Sequence, residues 1–158
     1  MLRHLSIKDF AVARATELEF GPGMTVVSGE TGAGKSILID ALQLLLGARG
    51  DTGVIREGAE RTDLCAEFDQ PQQLSGWLDE AGIAREDALL VRRTIDTQGK
   101  SRAWINGTPV TATQLRVLGE HLLDIHGQHA WQSLTRPDAA RAMLDTYGSI
   151  DTSGLKTL

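Results

Sequence analysis

An α/β fold is what this sequence predicts, and three observations carry the prediction. Gly29, Glu30, Thr31, Gly32, Ala33, Gly34, Lys35 and Ser36 are a full match to the G-x-x-x-x-G-K-[ST] phosphate-binding loop. That loop lies between a short β-branched run at 24–28 and a long apolar-periodic run at 36–46, the strand and helix that the motif needs on its two sides. Asn106 and Gly107, placed between strand-like runs, add a tight antiparallel hairpin. Together these define a P-loop NTPase fold with a mixed sheet, antiparallel hairpins and flanking helices.

Each element has a local cause. Residues 2–9 and 12–20 read as two strands with Leu5, Ile7, Leu18 and Phe20 at the inward positions, and Gly21, Pro22 and Gly23 turn the chain into the strand at 24–28. The run at 36–46 places apolar residues around a buried helix, which Gly47 stops. Gly47, Gly50, Gly53 and Gly58 then punctuate a polar stretch, after which 63–69 alternates Leu64, Ala66 and Phe68 as a strand. Leu74, Trp77, Leu78 and Ala81 fall at helical spacing over 71–81, closed by Gly82; Trp77 and, further along, Trp131 read as packing residues. Residues 89–96 and 101–106 are strand-like. Thr111 and Gln114 make a capping box, and the helix it opens carries Leu115, Leu118, Leu122 and Ile125 on one face. A last helix starts at Pro137, carries Met143, Leu144 and Tyr147, and ends at Gly148. This places one domain at 1–148 and a polar tail at 149–158.

Composition narrows the function classes. A chain of 158 residues is one domain or part of one. Its formal charge of −5 excludes a protein that coats nucleic acid by charge alone and leaves room only for a local basic face. The single cysteine, Cys65, can make neither an internal disulfide nor a thiolate zinc site, and its apolar surroundings read as a buried, inert thiol. No run reaches the roughly 20 apolar residues of a membrane span, and the start lacks a signal peptide's apolar core. A cytoplasmic chain without a membrane partner is the expectation.

The loop residues have separate jobs. Gly29, Gly32 and Gly34 let the backbone bend until its N–H groups face phosphate oxygens. Lys35 reaches the β- and γ-phosphates as a point charge, Ser36 ligates Mg²⁺, and the helix N-terminus adds roughly half a positive charge. Downstream, Asp124, Ile125, His126, Gly127, Gln128 and His129 follow an apolar helix and support two readings. One is a helix end stopped by Gly127, with the histidines at the surface. The other makes Gln128 a glutamine whose amide oxygen ligates Mg²⁺ and helps position the attacking water. Asp124, His126 and His129 have the look of a metal site but lack a fourth ligand. Arg92, Arg93, Lys100 and Arg102 cluster on one hairpin near Trp104, where they could meet DNA phosphates or stack on a base, or simply form a solvated face; strand alternation divides them. Arg49 either contacts phosphate or the opposing subunit, or pairs with carbonyls at the helix end.

Taken with Ile7–Phe10, the loop and its helix to Leu42, Leu46–Arg49, Ser101–Val110 and Asp124–His129, the chain resembles the amino-terminal part of the RecN family, bacterial DNA double-strand-break repair ATPases related to the SMC proteins. The resemblance runs from residue 1 to about 148. It implies an ABC-type head split in sequence, with the phosphate loop and the Q-loop glutamine, Gln128, in this lobe. A long coiled coil would separate it from a carboxy-terminal lobe that holds the signature motif, the Walker B acid and the catalytic glutamate. By that likeness the cofactors are ATP and Mg²⁺, Lys35 and Gln128 serve hydrolysis, and the partners are DNA, the carboxy-terminal lobe and a second ATP-bound head. The setting implied is the bacterial cytoplasm, at the nucleoid when acting on DNA. This lobe alone would then bind ATP with little turnover. Two alternatives remain: a free-standing kinase or GTPase, for which Asp79–Gly82 matches D-x-x-G but no Asn-Lys-x-Asp follows, and a non-hydrolysing module regulated by nucleotide.

Overall fold

Alternation along the first strand decides which way the sheet faces. β1 (Leu2–Phe10) buries Leu5 and Ile7 and turns His4, Ser6 and Lys8 the other way. It pairs antiparallel with β2 (Ala13–Glu19) on one side and with β3 (Arg61–Asp69) on the other. β4 (Ala88–Asp96), β5 (Ser101–Ile105) and β6 (Thr108–Val110) continue the sheet in the order β2-β1-β3-β4-β5-β6, and every pairing in it is antiparallel. β2 is an edge strand, so Leu18 and Phe20 reach only half-burial.

The computed structural model describes residues 1–29, 34–123, 125, 141, 144, 147 and 148. Helix α1 (Lys35–Leu45) and helix α3 (Ala112–Leu122) bury Leu44, Leu45, Leu115 and Leu118, while β3 and β4 bury Leu64, Ala66, Phe68, Leu89 and Val91. Between β3 and β4 the predicted helix splits into a 3-10 turn, Gln72–Leu74, and a short α2 (Ser75–Glu80). Leu74 and Leu78 are buried there, and Trp77 half-buried.

The two strongest local signals appear as read. Asn106 (φ 46) and Gly107 (φ 76) both take the left-handed region, the pair that a tight hairpin between β5 and β6 demands. The Asn106 amide also accepts from the Leu90 N–H at 2.8 Å and donates to the Ala84 carbonyl at 2.8 Å. At α3, the Thr111 hydroxyl accepts from the Gln114 N–H at 3.2 Å and the Gln114 amide oxygen accepts from the Thr111 N–H at 2.9 Å.

Three expectations need correction. Residues 24–28 are not a strand: they run exposed, with no ladder partner among the described residues. The helix after the loop is not buried throughout: full burial begins at Ala41, Ile37 and Leu38 are half-buried, and Ile39 stays 40% exposed. Ile125 does not extend the α3 face, since the helix closes at Leu122 and Leu123 turns extended (φ −143).

Gly47 holds the turn after α1 at φ 92, and a Cβ there would lie 2.7 Å from both the Ala112 carbonyl oxygen and the Arg116 nitrogen. Only glycine allows that approach. The chain divides into two units, 1–124 and 125–158. In the second, Arg141, Leu144 and Tyr147 are helical, and the Gly148 N–H donates to the Leu144 carbonyl at 2.9 Å. Trp131, Pro137 and Met143 lie outside the described residues. Among those described, no helix is long and apolar enough to cross a membrane.

Candidate nucleotide-binding site

α1 begins on the phosphate loop. Gly34 is its N-cap at φ 93 and ψ 4, a left-handed conformation, and a Cβ there would meet nothing closer than the Ile37 Cδ1 at 3.6 Å. Backbone handedness, not crowding, therefore calls for glycine. Among the described residues no side chain caps the helix and its first turn carries no acid, so the positive end of the helix dipole meets no fixed negative charge there, while the Ile37 N–H donates to the Gly34 carbonyl at 3.1 Å. The Lys35 Nζ donates to the Gly29 carbonyl across the mouth of the loop. Ser36 sits exposed in the first turn. The structure thus brings Gly29, Gly34, Lys35 and Ser36 together; Glu30, Thr31, Gly32, Ala33 and Gln128 lie outside the described residues, as do Asp124, His126 and His129.

The basic hairpin cluster comes apart. Arg92 and Arg93 are neighbours on β4 and so face opposite sides of the sheet. Arg92 forks onto Asp63, with Nε donating to Oδ1 at 2.9 Å and Nη2 to Oδ2 at 2.5 Å, and stands 5.6 Å over the Trp104 ring. Arg93 is only 4% exposed. Its Nη1 donates to the Leu44 carbonyl at 2.5 Å and the Ala48 carbonyl at 2.7 Å, and its Nε to the Ser101 hydroxyl at 3.0 Å. Burial pulls the Arg93 guanidinium below the usual arginine range. Lys100 and Arg102 remain exposed.

Arg49 is exposed as well, and the helix-end role considered for it belongs to Arg93. Cys65 is half-buried on the outer face, not buried in the core, because it alternates with Leu64 and Ala66. Burial, then the Asp63 carboxylate, push its thiol up, against the lowering influence of Arg92.

Sequence spacing missed one feature. Lys8, Asp9, Arg14, Arg56, Arg61 and Asp63 line a cleft of about 570 Å³ beside the β1–β2 turn. Asp9 and Ala11 both sit at φ 50 there, held by the Arg56 N–H donating to the Asp9 carbonyl at 3.0 Å and the Ala11 N–H to the Val54 carbonyl at 2.8 Å. The contributing cations are scattered over some fifty positions, with no periodicity to announce them.

A glycine-led phosphate loop that opens a helix beside an antiparallel sheet defines the P-loop class of nucleotide-binding domains, and the chain belongs to the AAA domain family, which it matches over residues 4–127. Within that class its sequence is similar to the DNA repair protein RecN, in keeping with the likeness to the amino-terminal ATPase lobe of RecN carried by its motifs. It is 54% identical over 154 residues to RecN of Xylella fastidiosa (strain Temecula1), covering 96% of this chain and 28% of that protein. With RecN of Vibrio cholerae it shares 45% identity over 149 residues, 93% of this chain and 27% of the other. The chain thus spans a little over a quarter of the length of these relatives. Among solved structures, one described as "Structural biochemistry of ATP-driven dimerization and DNA stimulated activation of SMC ATPases" superposes with a TM-score of 0.66 at 21% identity, covering 91% of this chain and 97% of that one. The fold is shared with that SMC ATPase.

Proposed function

We propose that the chain is the ATP-binding half of an SMC-like ATPase head that acts in DNA double-strand-break repair and recombination, and that hydrolysis needs a carboxy-terminal lobe of the same protein. The observation that carries this reading is the complete phosphate-loop motif, whose left-handed Gly34 opens α1 at a first turn that carries no acid. Those residues fit a nucleotide. The loop from Gly29 to Ser36 cradles the phosphates, Lys35 holds their charge, and Ser36 with Gln128 offers oxygen ligands for Mg²⁺. Bound there, Mg²⁺ would neutralise phosphate charge. Gln128, following α3, is assigned to hydrolysis more than to binding.

The surroundings support a missing partner lobe. Met24, Val26 and Val27 are 91%, 78% and 49% exposed immediately before the loop, an apolar, β-branched run placed to pair with a segment beyond this chain. Similarity to RecN and to an SMC head supports DNA and a second ATP-bound head as the further partners, in the bacterial cytoplasm and at the nucleoid. No guanine motif or acceptor lid favours the kinase or GTPase alternative.

The test is steady-state ATP hydrolysis by residues 1–158 and by the full-length protein. The chain alone should bind Mg·ATP and turn it over barely above background, and the carboxy-terminal lobe should restore hydrolysis. Robust phosphoryl transfer by the chain alone would replace this reading with a free-standing enzyme.

A further inference from the structure

We propose that Arg93 is a positioning residue for nucleotide binding: it grips the far end of the phosphate-loop helix and sets where the loop stands, without touching the nucleotide. The proposal rests on the nucleotide reading above and adds a residue to it. α1 has no basic residue in its own last turn. The cation comes instead from the middle of β4, opposite Leu64 of β3 and Ala103 of β5, where the strand is paired on both sides. Its hydrogen-bond partners are two carbonyls and a hydroxyl, with no carboxylate among them. A guanidinium this deeply buried is costly, and what compensates here is the negative end of α1, with the Leu44 carbonyl, already accepting from the Gly47 N–H at 3.2 Å, facing the charge.

Geometry makes the grip consequential. α1 has 11 residues. It is therefore about 16 Å long, and a tilt of about 5° about its buried end would shift its start by roughly 1.4 Å. The half of α1 nearest the loop is held less firmly by the core, since Ile37 and Leu38 are only half-buried and full burial begins at Ala41. A displacement of about 1 Å can cost on the order of a hundredfold in a reaction that depends on alignment. Packing alone would be served by Met or Leu at position 93. A fork between the β5 hydroxyl and the helix end needs a guanidinium, which a lysine copies only in part.

The experiment compares Mg·ATP affinity and turnover for the full-length protein carrying Arg93→Met, Arg93→Lys or, as a stability control on α2, Leu78→Ala, at a temperature where each is folded. Arg93→Met should weaken affinity by about tenfold and lower kcat as well, and Arg93→Lys should recover part of both. Leu78→Ala should lower the melting temperature and leave affinity within about twofold. Affinity of Arg93→Met within twofold of wild type would overturn the proposal, and so would an equal loss in Leu78→Ala. If Arg93→Met does not fold, Ser101→Ala, which removes only the Nε partner, should weaken binding by about two- to threefold, and unchanged binding would overturn the proposal. A folded wild type that does not bind Mg·ATP would overturn the nucleotide reading itself, an outcome distinct from all of these.

Discussion

β3 and the run at 24–28 both carry apolar residues at strand-like spacing, yet they end in opposite environments. β3 lies between β1 and β4 and drives Leu64, Ala66 and Phe68 to zero exposure, whereas Met24, Val26 and Val27 face solvent. The difference lies in partners. Propensity makes a segment extended, but only neighbouring strands on both edges and a helix beneath bury it. The antiparallel sheet supplies its own neighbours within the first 110 residues, while the approach to the phosphate loop has no strand beside it among the described residues. The sheet is self-sufficient, and on the reading proposed above the segment before the site takes its cover from the carboxy-terminal lobe.

The largest effect that sharpens this contrast is in the core. Leu64→Ala should destabilise the chain by about 2–5 kcal/mol in a denaturant titration, while Val26→Ser in residues 1–158 should stay within about 0.5 kcal/mol. In the full-length protein Val26→Ser should become costly. An equally neutral Val26→Ser in both would break the comparison, because it would mean that nothing covers the segment.

A smaller effect falls on the self-sufficient side at the capping box of α3. Thr111→Ala should cost about 1 kcal/mol in either context, measured by thermal or denaturant unfolding, because both partners of the box are local. A cost that depended on the carboxy-terminal lobe would show that the sheet half is not self-sufficient.

The smallest is a pH effect at the end of β3. The N-terminal amine, 3.2 Å away, and then Arg3 hold the exposed Asp69 carboxyl below its usual range. A depressed folded pKa means that the pairing contributes above the unfolded value near 3.9 and is lost as pH falls through the folded one. The melting-temperature gap between wild type and Asp69→Asn should therefore close as pH drops from about 5 to about 2. A gap that stays constant over that range would show that the Asp69 pairing does not hold the end of β3.

What the sequence made legible was whatever depends on near neighbours. The glycine that opens α1, the Asn106-Gly107 turn and the Thr111–Gln114 box are each written within a few residues and each appear where they were expected. Arg93 was visible only as one of four cations on a hairpin. Alternation could say that it and Arg92 part company, but not that the end of α1 lies beneath one of them, a register between elements some fifty residues apart. For the same reason the helix-end role could be offered to Arg49 and not to Arg93. The strand at 24–28 went wrong from the opposite side: β-propensity alone supplies no ladder partner, and none stands beside it among the described residues. Ile125 fits the apolar spacing of α3, but spacing carries no stop signal, and the backbone leaves the helix at Leu123.

The measurement that bears most directly on the central claim, that this half exists to hold a nucleotide, is equilibrium titration of the full-length protein with Mg·ATP, wild type against Lys35→Ala. Lys35 lies in the first turn of α1 outside the buried core, so the variant should keep the wild-type melting temperature within a degree or two. Its affinity for ATP should fall by at least about tenfold, on the order of 1.4 kcal/mol. A folded Lys35→Ala protein that binds Mg·ATP as tightly as wild type would contradict the phosphate-loop assignment and the function built on it.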